Sequence, residues 1–206
     1  MPMTDRSLVL VSAGLSQPSS TRLLADQLAV ATVSALEKLG ATADVRVLEL
    51  RDYARDITNN LVTGFPSEQL KDALSAVAGA NGLIAVTPTF RGSFSGLFKS
   101  FLDVVDDEAL RGTPVLLGAT GGTARHSLML EHAVRPVFVY LGSVVVPTSV
   151  FAATDDFAGD AQLVPLRARI ERAASELAAE VIRCERTAAA DPFALTTSFD
   201  QLLAGD

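Results

Sequence analysis

Apolar residues come in two rhythms along this chain. Residues 8–11 form a short continuous apolar run ending at Ser12 and Ala13, and residues 22–39 then repeat apolar positions at helical spacing. The pair predicts strand, loop and helix, with Gly40 where glycine ends a helix by turning left-handed. Residues 43–50 alternate into a second strand. Residues 51–66 are polar and irregular and predict a connection without regular structure, after which Ser67 opens a helix reaching Ala78. Further strands are predicted at 82–87, 114–120 and 143–147, and further helices at 95–106, 127–141 and 161–186. Residues 187–206 lose helical periodicity. Their scattered apolar side chains predict a C-terminal arm that packs on something, a partner subunit among the options, beyond a single domain at 1–186.

Five apolar strands alternating with helices require a parallel sheet covered on both faces, because parallel neighbours need crossover connections that lay helices above and below. The class is doubly wound α/β. Ligands in such sheets sit beyond the carboxyl ends of the strands, near the point where strand order reverses. The loops after the first, third and fourth strands are therefore where chemistry is expected.

Composition narrows the partners. The chain has 206 residues, 49% apolar and 20% charged, enough for one full core in a soluble globular body. A formal net charge of −7 without a dense Lys/Arg cluster argues against nucleic acid, since such binding draws on neutralised phosphates. Apolar runs such as 115–119 and 144–146 fall far short of the about 20 residues that cross a bilayer. The polar first seven residues lack a secretory pattern, and a cytoplasmic location is expected. Cys184 is the single cysteine and reads as a bystander thiol; His126 and His132 lack the spacing and carboxylate company of a metal site.

The first loop, from Ser12 through Ala13, Gly14, Leu15, Ser16, Gln17, Pro18, Ser19 and Ser20 to Thr21, brings hydroxyls to the start of a helix. Unpaired amides and the positive end of the dipole make that place attractive to an anion such as phosphate. Ser19 or Ser20 also serves simply as a helix cap, and the loop alone does not choose between the two. It is neither a Walker loop nor a Gly-x-Gly-x-x-Gly fingerprint, so a nicotinamide must enter a site built by something else, for which a bound flavin is the natural candidate. In the second loop, Pro88 stops the strand, Phe90 offers a flat apolar face and Gly92 allows close backbone approach to a planar ligand. Phe94, Phe98 and Phe101 read as core or interface anchors. In the third loop, Gly121 and Gly122 between Thr120 and Thr123 suit either the polar edge of a ring or a plain tight turn.

Together the three loops resemble the NADPH-dependent FMN reductase family of flavodoxin-like proteins, over about residues 8–152. The stretch from Thr87 to Asp103 reads Thr-Pro-x-Phe-x-Gly-Ser-x-x-Gly-x-x-Lys-x-x-x-Asp. It is similar to the family's Thr-Pro-Glu-Tyr-Asn-x-Ser-x-Pro-Gly-x-Leu-Lys-Asn-x-x-Asp. Thr120-Gly121-Gly122 matches the family's Thr-Gly-Gly turn. Ala124-Arg125-His126-Ser127 with Arg135-Pro136 resembles the subgroup that works beside luciferase-like flavin monooxygenases. Departures are also visible. Ala13-Gly14-Leu15-Ser16 stands where many members read Gly-Ser-x-Arg, Thr89 replaces the common glutamate and Phe90 the common tyrosine.

The resemblance implies a five-stranded sheet of order 2-1-3-4-5. It places the FMN phosphate on Ser12, Leu15, Ser16, Ser19, Ser20 and Thr21. The isoalloxazine would lie against Pro88, Thr89, Phe90 and Arg91 on one side and Thr120, Gly121 and Gly122 on another. The implied reaction is hydride transfer from NAD(P)H to FMN, for which no side chain need act as acid or base. The alternatives are a quinone or azo reductase of the same architecture and a flavodoxin-like electron carrier. The expected assembly is a homodimer or homotetramer, with Leu97, Phe98, Phe101, Leu102 and Val105 of one helix and Met129, Val134, Val137, Phe138 and Leu141 of the next providing apolar surface for a partner.

Overall fold

The structure, a computed structural model, describes residues 4–158 and 160–184. The expected C-terminal arm at 187–206 lies outside the described residues. Strands β1 (Thr4–Ser12), β2 (Ala41–Glu49), β3 (Gly82–Phe90) and β5 (Pro114–Gly121) form a parallel sheet in the order β2-β1-β3-β5. Helix α1 (Ser20–Lys38) links β1 to β2. Helices α2 (Ala54–Thr63) and α3 (Glu68–Gly79) link β2 to β3, α4 (Gly96–Leu102) leads from β3 towards β5, and α6 (Asp160–Arg183) closes the described chain. The flavodoxin-like order and the helices on both faces are those expected.

The period-two alternation of the strands decides which helices go where. Leu8, Leu10, Ile84, Val86 and Leu116 face one way and pack with Leu24, Leu28 and Leu36 of α1 and Ile170, Leu177 and Val181 of α6. Val9, Val11, Leu83, Ala85, Val115 and Leu117 face the other way, against Leu70, Ala73 and Val77 of α3, Phe98 and Phe101 of α4, and Phe138. Phe98 and Phe138 meet with ring centroids 6.2 Å apart.

The structure corrects the sequence reading in five places. The connection at 51–66 is not irregular: it holds a short 3-10 turn (Leu50–Tyr53) and α2, which ends in Gly64 at φ 78°. Ala54, Ile57 and Leu61 of α2 recur at helical spacing, but only Ile57 is buried and the stretch around them is largely polar, so the run is too short to stand out in the sequence.

Strand β3 does not stop at Pro88 but runs on to Phe90 and folds back through the two-residue turn Arg91-Gly92 into β4 (Ser93–Phe94). β1 pairs no further than Val86, so the missing proline donor lies past the end of that ladder and breaks nothing. Both turn residues have positive φ, 51° and 81°, the sign pattern of tight hairpins, and this is the conformational demand that Gly92 meets. The helix expected at 127–141 is a π-helical turn (Leu130–Val134) followed by α5 (Arg135–Tyr140).

The fifth strand position, expected at 143–147, is split. β6 (Val144–Val145) pairs with the first residues of β5 and β7 (Val150–Ala153) with its last four. The break at 146–149 is clamped from two directions. Arg135 donates to the carbonyls of Val146 (3.0 Å) and Pro147 (3.1 Å) and to Ser149 Oγ (2.8 Å), and is itself held by Glu131. From α6, Glu176 accepts from Thr148 N and Thr148 Oγ1, both at 2.7 Å.

The apolar residues expected to await a partner are covered by their own chain. Phe98, Phe101, Leu102, Val105, Met129, Val134, Phe138 and Leu141 are buried, and Leu97 and Val137 pack against the same core. Parallel-sheet helices bury wide faces, and these two fill the space above β3 and β5.

Candidate active site

Three loops and the new strand meet at the carboxyl edge of the sheet. β1 ends at Ser12, and Ala13 N still donates to Val86 O at 2.9 Å, which carries the first loop up between β1 and β3. Ser19 caps α1, its Oγ accepting from Arg22 N at 3.2 Å. By helical geometry the amides of Ser20 and Thr21 have no acceptor within the helix. A Cβ on Gly14 would overlap Ser19 Oγ, so only glycine lets the loop fold onto its own cap. Thr21 Oγ1 and Thr120 Oγ1, both buried, share a hydrogen bond of 2.8 Å that ties the start of α1 to the end of β5.

The cleft so formed has a volume of about 340 Å³, within the range of small-ligand sites. Leu15, Ser16, Ser20 and Thr21 line it from the first loop, Pro88, Thr89 and Phe90 from the end of β3, and Thr120, Gly121 and Gly122 from the neighbouring end of β5 and the residue after it. Gly121 has no room for a side chain, since a Cβ there would lie 2.9 Å from Phe151 Cζ and 3.3 Å from Thr89 Oγ1. Every residue in this lining is uncharged, so the cleft holds no general acid, general base or charged nucleophile. Thr89 Oγ1 is buried and has no hydrogen-bond partner.

Three of the anticipated residues stand elsewhere. Ser12 is buried in β1 with an unpartnered Oγ, and Ser19 is occupied as the helix cap. Arg91 is exposed at the tip of the hairpin and does not line the cleft.

Four lining residues were not assigned to the ligand from the sequence: Gly14, which lies within the first loop, and Ala152, Thr154 and Phe157. The last three come from β7 and the 3-10 turn after it (Thr154–Phe157). A signal for them exists, since Val150-Phe151-Ala152-Ala153 is a continuous apolar run, but 143–147 had already taken the fifth strand's place.

Behind the first loop lies a chain of charges. Arg51 donates from Nη1 to Ser16 O at 3.2 Å and pairs through Nη2 with Glu49 Oε2 at 2.8 Å. Glu49 Oε1 meets Arg22 Nη1 at 2.6 Å, and Arg22 Nε meets Asp26 Oδ1 at 2.7 Å. The hydrogen bond that Arg22 donates to Asp26 raises its guanidinium above the ordinary range, against a smaller opposing effect of burial. Among the described residues no cluster of histidine, cysteine and carboxylate groups could hold a metal ion, and no helix is long and apolar enough to cross a membrane.

A flavodoxin-like sheet with a hydroxyl-rich, uncharged cleft at its carboxyl edge defines the class of flavin-dependent oxidoreductases of this fold. The comparisons agree and narrow it. The profile described as NADPH-dependent FMN reductase matches residues 6–158. An FMN reductase (NADPH) of Pseudomonas aeruginosa is 38% identical over 175 residues, covering 83% of this chain and 90% of that protein. The NADH-dependent FMN reductase SfnF of Pseudomonas fluorescens is also 38% identical, covering 83% of this chain and 89% of its own length. The crystal structure of an oxidoreductase of Corynebacterium diphtheriae superposes with a TM-score of 0.84 at 42% identity, over 89% of this chain and 99% of that one. The chain belongs to the NADPH-dependent FMN reductase family.

Proposed function

We propose that this enzyme binds FMN in the cleft, reduces it with NAD(P)H, and releases it to a flavin-dependent monooxygenase. The observation that carries the reading is the lining itself. Hydroxyls and helix-end amides gather at Leu15, Ser16, Ser20 and Thr21, flat apolar surface at Pro88, Phe90 and Phe157, and no charged side chain lies among them.

The residues suit FMN. A phosphate at the start of α1 meets the amides of Ser20 and Thr21 and the favourable end of the dipole. Thr89 Oγ1, buried and unpartnered, is a ready donor or acceptor for the polar edge of a ring, and an isoalloxazine carries such an edge. Gly122, where an added Cβ would meet nothing within 4 Å, leaves its backbone open beside the cleft. The Thr21–Thr120 hydrogen bond fixes the distance between phosphate end and ring end, so the protein's contribution is orientation and exclusion of water. When bound, FMN supplies the two-electron acceptor for the nicotinamide hydride.

Delivery to a monooxygenase is supported by the resemblance around Arg125, His126, Arg135 and Pro136, and use of NADH by the similarity to an NADH-dependent FMN reductase. A cytoplasmic setting suits a free thiol such as Cys184. The working unit is read as a homodimer or homotetramer, for which the exposed Leu128, Val139 and Tyr140 offer apolar surface in place of the buried residues. Steady-state oxidation of NADH and NADPH with free FMN, and separately with a quinone, tests the assignment. Turnover that requires free FMN and saturates in it supports the reading, whereas quinone turnover on retained flavin, with no response to free FMN, overturns it.

A further inference from the structure

The family's loop arginine is absent here, with Ser16 in its place, yet an arginine from the 3-10 turn after β2 reaches the same loop. Arg51, just past the end of β2, donates to the carbonyl of Ser16 at 3.2 Å. Gln17, its amide oriented by the surrounding bonds, accepts from Arg51 as well. The guanidinium is not a loose surface group. Its side chain is 19% exposed, as is that of Glu49, and Glu49 in turn is paired with Arg22, whose Nε is held by Asp26.

Ser16 is the wall shared by two spaces. On one side it lines the cleft, and on the other it lines a recess with Arg22, Glu49 and Arg51. A trans peptide holds its C=O and N–H antiparallel. With the Ser16 carbonyl turned to Arg51, the N–H of the same peptide, carried by Gln17, is aimed away from the guanidinium.

Resting on the FMN reading above, we propose that Arg51 is the positioning residue of the phosphate loop: it turns the Ser16–Gln17 peptide so that its N–H adds to the amides of Ser20 and Thr21 as an anion donor. Arg51 does this from behind the loop, without lining the cleft. Its guanidinium also offsets, at short range, the Glu49 carboxylate, whose other oxygen is paired with Arg22. The loss of the loop's own arginine is thus met by a cation that orients backbone instead of touching ligand.

Titration of the apo-protein with FMN and with riboflavin, which lacks the phosphate, tests this in the parent, Arg51→Met and Arg51→Lys. Arg51→Met is expected to weaken FMN about tenfold, the scale of one charge-assisted hydrogen bond, and to leave riboflavin within about twofold. Arg51→Lys, which keeps one charged donor, is expected to lie between. The phosphorus resonance of bound FMN should shift in Arg51→Met, a signature that a purely structural role would not give. Equal weakening of FMN and riboflavin, or no weakening, overturns the proposal. Should Arg51→Met not fold, the FMN-to-riboflavin ratio of Arg51→Lys decides: a reduced ratio supports the proposal and an unchanged one overturns it. A parent that binds neither flavin refutes the FMN reading itself, a different outcome.

Discussion

Replacing Arg135 by methionine should unlatch the strand break that brings β7 to the cleft. Methionine keeps most of the stem's volume and removes the guanidinium, so the loss is polar. Arg135 holds two carbonyls that no strand can take up, those of Val146 and Pro147, together with Ser149 Oγ. The Val146 and Ser149 bonds are partly buried, while the Pro147 bond is open to water, which can replace it. Counting the two partly buried bonds as charge-assisted, and discounting for a side chain 21% exposed, gives about 2–3 kcal/mol. For a chain of this size that corresponds to a drop of about 5–10 °C in melting temperature. Thermal unfolding followed by circular dichroism measures it. Because Ala152, Thr154 and Phe157 reach the cleft through this segment, FMN affinity should fall too. A loss below about 0.5 kcal/mol would show that water and Glu176 hold the break without Arg135, and the clamp would be refuted.

Gly121→Val should abolish FMN binding while costing stability, since its Cβ alone would press Phe151 and Thr89; normal affinity by fluorescence titration would remove this wall from the site. Arg91→Asn should raise stability by up to about 1 kcal/mol, because asparagine tolerates the φ of 51° better than arginine; a lowered melting temperature would contradict that reading of the hairpin. The hydrogen bond from Arg135, followed by that from Ser149, holds the Glu131 carboxyl below its usual range. Glu131 therefore stabilises the fold above its ordinary value of 4.5, and that contribution is lost as pH falls below it. The stability gap between parent and Glu131→Gln should narrow on acidification, and a gap that is constant or widens would refute the pairing.

Much of the fold was legible because the parallel strands carry unbroken apolar runs. The alternation of Leu8 and Leu10 with Val9 and Val11 assigns two faces without knowledge of any partner. The site was legible for a related reason: a doubly wound sheet directs its strand ends to one edge, so the loops at 12–21, 87–99 and 119–127 converge once strand order is known. What stayed hidden is polar or non-local. α2 buries a single side chain, and its stripe of Ala54, Ile57 and Leu61 is too short to stand out from the polar stretch around it. The split of the fifth strand depends on Arg135 and Glu176 supplying hydrogen bonds across 11 and 28 residues, which no local pattern encodes. Ser19 and Arg91 have side-chain types suited to a ligand, but a cap and a left-handed turn claim them first. Arg51 lies in a stretch that read as a featureless connection, and only its reach to Ser16 shows its part.

The central claim is that the uncharged cleft holds FMN where NAD(P)H can reduce it. Anaerobic mixing of the FMN-loaded protein with NADPH or NADH, followed by the flavin's long-wavelength absorbance, tests it most directly. The account predicts rapid bleaching in the parent and loss of the fast phase in Gly121→Val at matched flavin concentration. Bleaching no faster than that of free FMN under the same conditions would contradict it.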